Sequence, residues 1–219
     1  MRIISGTYRN FFLASPVTPR YRATLFRTDP FHPMGDRQRS GLFNALFSAR
    51  GQLIDARVLD AYAGTGSIGL EALSRGAAHA TFLEKNPAAV KLIRENVSRL
   101  KLSEDSYRII QKAVEKYDGG QRRNFSKLQH SQSARAAGTK PLAKLPPLDT
   151  YDIIFADPPY NAVSEKALIS LAKFLKTGGI FVLSCPSDFV TDRFVTSAHL
   201  SILRVHTYAR AKIVILKKP

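Results

Sequence analysis

At 219 residues and 44% apolar content, the chain can bury one sizeable core with room for a small appendage. It has no run of 18 apolar residues, no long apolar stretch in "MRIISGTYRN" and a single cysteine, Cys185, so a membrane span, a secretory leader and an internal disulfide are disfavoured and a cytoplasmic location is expected. Lys plus Arg is 33 against 17 for Asp plus Glu, a formal charge of +16 that points to a polyanionic partner, nucleic acid above all.

The charge is unevenly spread. Residues 1–50 hold eight arginines, no lysine and two acids, while residues 201–219 hold five basic residues and no acid. In chain order, residues 2–9 read as a strand with basic positions at Arg2 and Arg9, and 14–35 read as a loop with four prolines. In "DRQRSGLFNALFSARG" a helix is expected from an Asp36 N-cap to Gly51, with Leu42, Phe43, Leu46 and Phe47 on one face. Residues 1–50 thus look like an N-terminal extension to a main domain over 51–219.

From residue 56 strands and helices alternate. "ARVLDAY" is a strand, "SIGLEALSRG" a helix closed by Gly76, and "HATFLE" a second strand. "NPAAVKLIRENVSRL" is a helix with Asn86 as N-cap, Pro87 at its first position and Ala89, Leu92, Ile93 and Val97 on one face. "YRIIQ" and "YDIIFA" are further strands, "EKALISLAKFLKTGG" a helix ended by Gly178 or Gly179, "IFVLSC" a strand, and "LSILRVHTYARAKIVILKK" two more. This alternation predicts an α/β fold with right-handed crossovers and a mainly parallel seven-stranded sheet. Residues 119–148 show no sustained period and carry six basic residues without an acid, and they read as a basic insertion.

Two stretches carry chemistry. "VLDAYAGTGSIGLEAL" places Gly64, Gly66 and Gly69 as G-x-G-x-x-G between a strand and a helix, which lets a ligand approach the backbone at a helix N-terminus. Glu84 ends the second strand, where a carboxylate can accept both hydroxyls of a ribose, as in NAD or S-adenosylmethionine. Asp60 ends the first strand; a negative group there suits a sulfonium and an ammonium better than a pyrophosphate. No G-x-x-x-x-G-K-[ST] is present, which disfavours a P-loop hydrolase, and the five histidines and one cysteine show no metal-site spacing.

The second stretch, "YDIIFADPPYN", runs an apolar strand into an acid, two prolines and a tyrosine. Its end should lie beside the glycine loop across the switch point of the sheet. A nucleobase amine is a poor nucleophile, because its lone pair is delocalised into the ring. Asp157 and the Pro158 carbonyl can accept its N–H groups, the prolines limit reorganisation, and Tyr160 can stack on the base.

With "RIISGTYR", "DRQRSGLFNAL", "LDAYAGTGSIGLEALSRGA", "FLEKN" and "DIIFADPPY", the chain resembles the RsmD-type methyltransferases, which use S-adenosylmethionine to modify guanine N2 in 16S ribosomal RNA. The resemblance implies a Rossmann-like class I methyltransferase fold, with Asp60, Gly64, Gly66 and Glu84 at the cofactor and Asp157, Pro158 and Tyr160 at the target amine. Thr65, Lys85 and Ala113 complete the expected cofactor-binding set. Arg9, Arg37 and Arg39 are implied on the RNA-facing side, with ribosomal RNA or the small subunit as partner and a monomeric enzyme. The chain departs from the family in "HPMGDR", where Arg-Pro-Thr usually precedes the Asp-Arg pair, and His32 there reads as a loop histidine. An adenine-N6 methyltransferase, a non-catalytic RNA-binding protein and, from the glycine motif alone, an NAD-linked oxidoreductase are the competing readings.

Overall fold

The structure, a computed structural model, describes residues 1–15, 34–119, 150–209 and 211–219. The proline-rich loop with His32 and nearly all of the basic insertion lie outside those residues.

Seven strands form one sheet: β1 (Arg57–Ala61), β2 (His79–Glu84), β3 (Tyr107–Gln111), β4 (Tyr151–Ala156), β5 (Leu175–Pro186), β6 (Ser201–Thr207) and β7 (Ala211–Lys217), in the order β3-β2-β1-β4-β5-β7-β6. β1 to β5 run parallel and β7 is antiparallel to both β5 and β6. The strand order reverses between β1 and β4, with Ala61 opposite Ala156, so the glycine loop and "DPPY" leave the sheet side by side.

Among the described residues, five helices cover the two faces: α1 (Asp36–Arg50), α2 (Ser67–Ser74), α3 (Pro87–Arg99), α4 (Glu165–Ala172) and α5 (Asp192–Ser197). Alternate strand residues feed two cores. Val58, Phe82 and Phe155 pack with Leu42 and Phe43 of α1, Leu70 of α2 and Ile93 of α3; Leu59, Ile154 and Phe181 pack with Leu168 of α4 and Phe194 of α5. Asn86 caps α3 as its sequence predicts, accepting the Ala88 N–H at 2.8 Å.

The front of the chain is tied into the first of these cores. Ile3 and Leu13 belong to it, and residues 2–9 form no strand, only an isolated bridge from Arg2 to Phe12. The Glu71 carboxylate of α2 accepts the N–H groups of Ile4 at 2.7 Å and Ser5 at 3.1 Å. Gly6 sits so close to the end of α2 that an added Cβ would fall 1.7 Å from the Ser74 carbonyl oxygen.

Three local expectations change. Gly35 takes the N-cap position of α1, leaving Asp36 in the first turn, where it pairs with Arg39 at 2.9 Å. Phe47 is 59% exposed, outside the α1 face on which Leu42, Phe43 and Leu46 are buried. The helix predicted to run to Gly178 or Gly179 ends at Ala172; Leu175 already pairs with Tyr151, and the glycines lie in β5 within the register shift between the Tyr151–Leu175 and Ile153–Ile180 pairs.

Candidate active site

A cleft of about 680 Å³ opens at the C-terminal ends of β1, β2 and β4, within the size range of small-molecule sites. The glycine loop, Glu84 and Lys85, the turn after β3, the 157–162 segment and Met34 with Gln38 of α1 line it.

The loop after β1 is built by backbone hydrogen bonds. Tyr62 and Ala63 donate to the Leu83 carbonyl at 3.1 and 3.0 Å, and Gly64 donates to Glu84 Oε2 at 2.8 Å. Glu84 Oε1 accepts the Asn86 N–H at 2.8 Å, so this carboxylate joins the loop to the start of α3 while facing the cleft. Gly69 packs on Phe82, and an added Cβ would lie 2.4 Å from that ring. Thr65 and Lys85 line the cleft; Ala113 is flanked by the lining residues Lys112 and Val114 but does not line it itself.

Asp60 sits one layer deeper. It is 1% exposed, does not line the cleft, and accepts the Gly69 N–H at 2.8 Å. Burial pushes its carboxyl up to about 8; the Gly69 bond opposes this, and Asp157 and Glu84 add to the rise.

Asp157 follows β4, with Pro158 buried behind it and Tyr160 44% exposed in a 3-10 turn at Tyr160–Ala162. Burial raises the Asp157 carboxyl to about 6, and the nearby Ser184 hydroxyl opposes the rise. The Ser184 hydroxyl also lies 3.4 Å from the Tyr160 hydroxyl, whose acidity burial weakens.

The arginines separate. Arg9 and Arg37 are exposed, as a contact to RNA requires. Arg39 is corrected: it is 0% exposed, and its guanidinium donates to the carbonyls of Met34 and Arg2 and to Asp36, with Glu71 at 3.9 Å from Nε. It holds the front of the chain together and has no surface to offer a phosphate.

Sequence reasoning missed several residues. Asn96 of α3 donates to the Thr65 carbonyl and exchanges hydrogen bonds with Ala14, tying the extension to the glycine loop. Ser184 carries no motif of its own. Tyr62 stood inside the quoted motif and went unused, yet it lines the cleft with a left-handed backbone at φ 73°.

The cleft suits a cationic, hydroxyl-bearing cofactor. The Thr65 and Tyr62 hydroxyls at its wall are buried without a hydrogen-bond partner, leaving donors for a bound group. Glu84, Glu115 and Asp157 line the cleft beside Lys85 and Lys112, so in a chain of net +16 the site keeps an excess of carboxylates, which favours a sulfonium and an ammonium over a pyrophosphate.

A family model described as "Conserved hypothetical protein 95" matches residues 1–126. The chain belongs to this family. Among its relatives, "Ribosomal RNA small subunit methyltransferase D" of Haemophilus influenzae is 28% identical over 191 residues, covering 86% of this chain and 80% of that protein. "Uncharacterized methylase RP545" of Rickettsia prowazekii is 26% identical over 245 residues, covering 99% and 97%. The solved structure of Escherichia coli yhhF, which carries a methyltransferase name, superposes with a TM-score of 0.68 at 24% identity, covering 100% of this chain and 97% of that one. The fold is that of class I methyltransferases, and the family is the RsmD type expected above. The chain is an enzyme, a methyltransferase whose cofactor is S-adenosylmethionine, which removes the oxidoreductase and non-catalytic readings.

Proposed function

We propose that this enzyme methylates the exocyclic N2 of a guanine in small-subunit (16S) ribosomal RNA. The observation that carries this is the position of Asp157-Pro158-Pro159-Tyr160, at the cleft and one strand away from the glycine loop. RNA as substrate draws support from the name of the Haemophilus relative and from the +16 charge.

When bound, S-adenosylmethionine supplies an electrophilic methyl group on sulfur. The chain's residues do the rest. Glu84, with one lone pair of each oxygen engaged by backbone N–H groups, keeps the others for hydroxyls entering the cleft. Asp157 and the Pro158 carbonyl accept the N–H groups of the target amine, so that its lone pair is left toward the methyl. The prolines hold these acceptors in place before substrate arrives, which removes reorganisation from the barrier. Tyr160 offers a ring face to an unstacked base. We assign Asp60 an indirect role, accepting the Gly69 N–H and so setting the start of α2 behind the cleft. A monomer working in the cytoplasm, where ribosomal RNA is available to it, completes the reading; light scattering of the free enzyme checks the first point.

The test incubates enzyme and labelled S-adenosylmethionine with unmodified small subunits, free 16S RNA or duplex DNA, and identifies labelled nucleosides by mass spectrometry. N2-methylguanosine from either ribosomal substrate is the expected product. Label in N6-methyladenine, or none in ribosomal RNA, overturns the assignment.

A further inference from the structure

A second cavity, which the reaction as read above does not use, lies at the C-terminal end of α1. It measures about 440 Å³, and Phe43, Phe47, Gln52, Ile54 and Arg75 line it together with the turn at Gly76. Gln38, nearer the other end of the same helix, lines the cleft, and the rise from it to Phe47 is about 14 Å.

Apolar surface stays uncovered here. Phe47 is 59% and Ile54 60% exposed, although each follows or adjoins a buried leucine, Leu46 and Leu53. Gln52, Ser5 and Thr7 bring neutral hydrogen-bonding groups to the same walls. Among the described lining residues Arg75 alone is charged. Its guanidinium stands over the Phe43 ring at 4.7 Å and donates to Glu71 at 2.7 Å, so two contacts fix it in place. Glu71 itself is buried and also accepts from the Ile4 and Ser5 N–H groups. Arg50 and Asp55 adjoin lining residues in the chain and Arg9 is two residues beyond Thr7, so cations outnumber exposed acids around the opening.

Exposed aromatic and aliphatic carbon, a fixed guanidinium and an amide together match an unstacked nucleobase. Its ring face rests on the carbon, and its polar edge meets the amide and the guanidinium. An apolar side chain from a protein would cover the carbon but leave Arg75 and Gln52 without partners. From this geometry we infer that the cavity is a second base pocket, which takes a nucleobase of the RNA substrate other than the guanine that reacts. The helix α1 joins the two sites. Arg37, Asn44 and Ser48 are exposed along one stripe of it, and its one acid, Asp36, is paired with Arg39. RNA laid along this stripe runs from the cleft to Phe47. The inference rests on the proposed RNA substrate and is independent of which atom is methylated.

The experiment measures filter binding of free 16S RNA and co-sedimentation with small subunits, each across a salt series. Phe47→Ala is expected to weaken binding roughly five- to tenfold, as loss of one base–aromatic stack requires. Phe47 is mostly exposed, so its truncation spares the fold. A stack releases no counterion, so the salt slope stays that of the parent, unlike the loss of a phosphate contact. Phe47→Tyr restores affinity, whereas Phe47→Leu, apolar but without a ring, does not. In methyl transfer Phe47→Ala raises the KM for RNA by the same factor, with kcat and the KM for S-adenosylmethionine within about twofold of the parent. Ultraviolet crosslinking followed by mass spectrometry joins the Phe47 peptide to a nucleotide in the parent and not in Phe47→Ala. Unchanged affinity of Phe47→Ala, rescue by Phe47→Leu, or a crosslink from this peptide to a ribosomal protein in place of RNA overturns the inference and leaves the proposed function standing. A parent that binds ribosomal RNA in neither form overturns the proposed substrate as well.

Discussion

Glu84 holds the Gly64 and Asn86 N–H groups on different oxygens, and this makes it sensitive to a change that preserves its size. In Glu84→Gln one acceptor oxygen is replaced by an NH2 group, which meets a backbone N–H donor head-on. Leaving one such bond unmade costs about 1–3 kcal/mol. Cofactor affinity, read by calorimetry, should fall roughly ten- to a hundredfold, while the fold persists. Asp157→Ala removes an acceptor that acts on the amine alone; kcat should drop by roughly two to three orders of magnitude, with cofactor affinity retained. Asp60 predicts a pH effect on stability. Its folded value, about 8, lies above the ordinary carboxylate value of 3.8, so the folded state binds more protons than the unfolded chain between them. Its contribution is fully present below about 4 and is lost as pH rises to about 8. Asp60→Asn, which can still accept the Gly69 N–H, should flatten that decline in urea denaturation series run across this range.

Between elements, one buried ion group decides how the front of the chain is held. Glu71 of α2 accepts from Ile4, Ser5 and Arg75, and lies 3.9 Å from Arg39 of α1. Glu71→Ala leaves the Ile4 and Ser5 N–H groups without their acceptor and takes a buried carboxylate from beside Arg39 and Arg75, and should cost about 3–5 kcal/mol in urea unfolding. Arg39 itself shows where the sequence misleads. "DRQR" presents Arg37 and Arg39 two residues apart, equivalent to any reading of charge, yet two residues on a helix are about 200° apart. One therefore faces solvent and the other the core, and the choice depends on a carboxylate 32 residues onward. The strand and helix alternation was legible because apolar periodicity survives without knowledge of partners. The β4–β5 link was misread for the converse reason: "LKTGG" looks like a helix ending in glycine until Tyr151 is seen to pair with Leu175. At the site, motifs exposed the glycine loop, Glu84 and "DPPY"; Asn96 and Ser184 meet residues distant in sequence, so no local signal marks them.

Across the whole molecule, the net charge of +16 coexists with a cleft that Glu84, Glu115 and Asp157 line beside Lys85 and Lys112, a local excess of carboxylates. The two serve different ligands. Negative charge at the cleft receives a cationic cofactor, and the positive remainder addresses a polyanion that only has to deliver one base. Affinity for RNA should then be carried largely by phosphates and should depend steeply on salt. With about three to five phosphates neutralised on single-stranded RNA, the slope of log K against log salt lies between about −2 and −3.5, so affinity falls roughly twentyfold to a hundredfold between 50 and 200 mM salt. Cofactor affinity, set by a cleft that encloses its ligand, should change far less over the same range. Arg37, exposed near the start of α1 and next to the cleft residue Gln38, is a position at which the two fields can be told apart. Arg37→Ala should weaken RNA binding at low salt, reduce the salt slope by about 1 and leave S-adenosylmethionine affinity unchanged. Fluorescence anisotropy across a salt series measures the first two effects and calorimetry the third. An unchanged slope would place the RNA track away from the N-terminal end of α1.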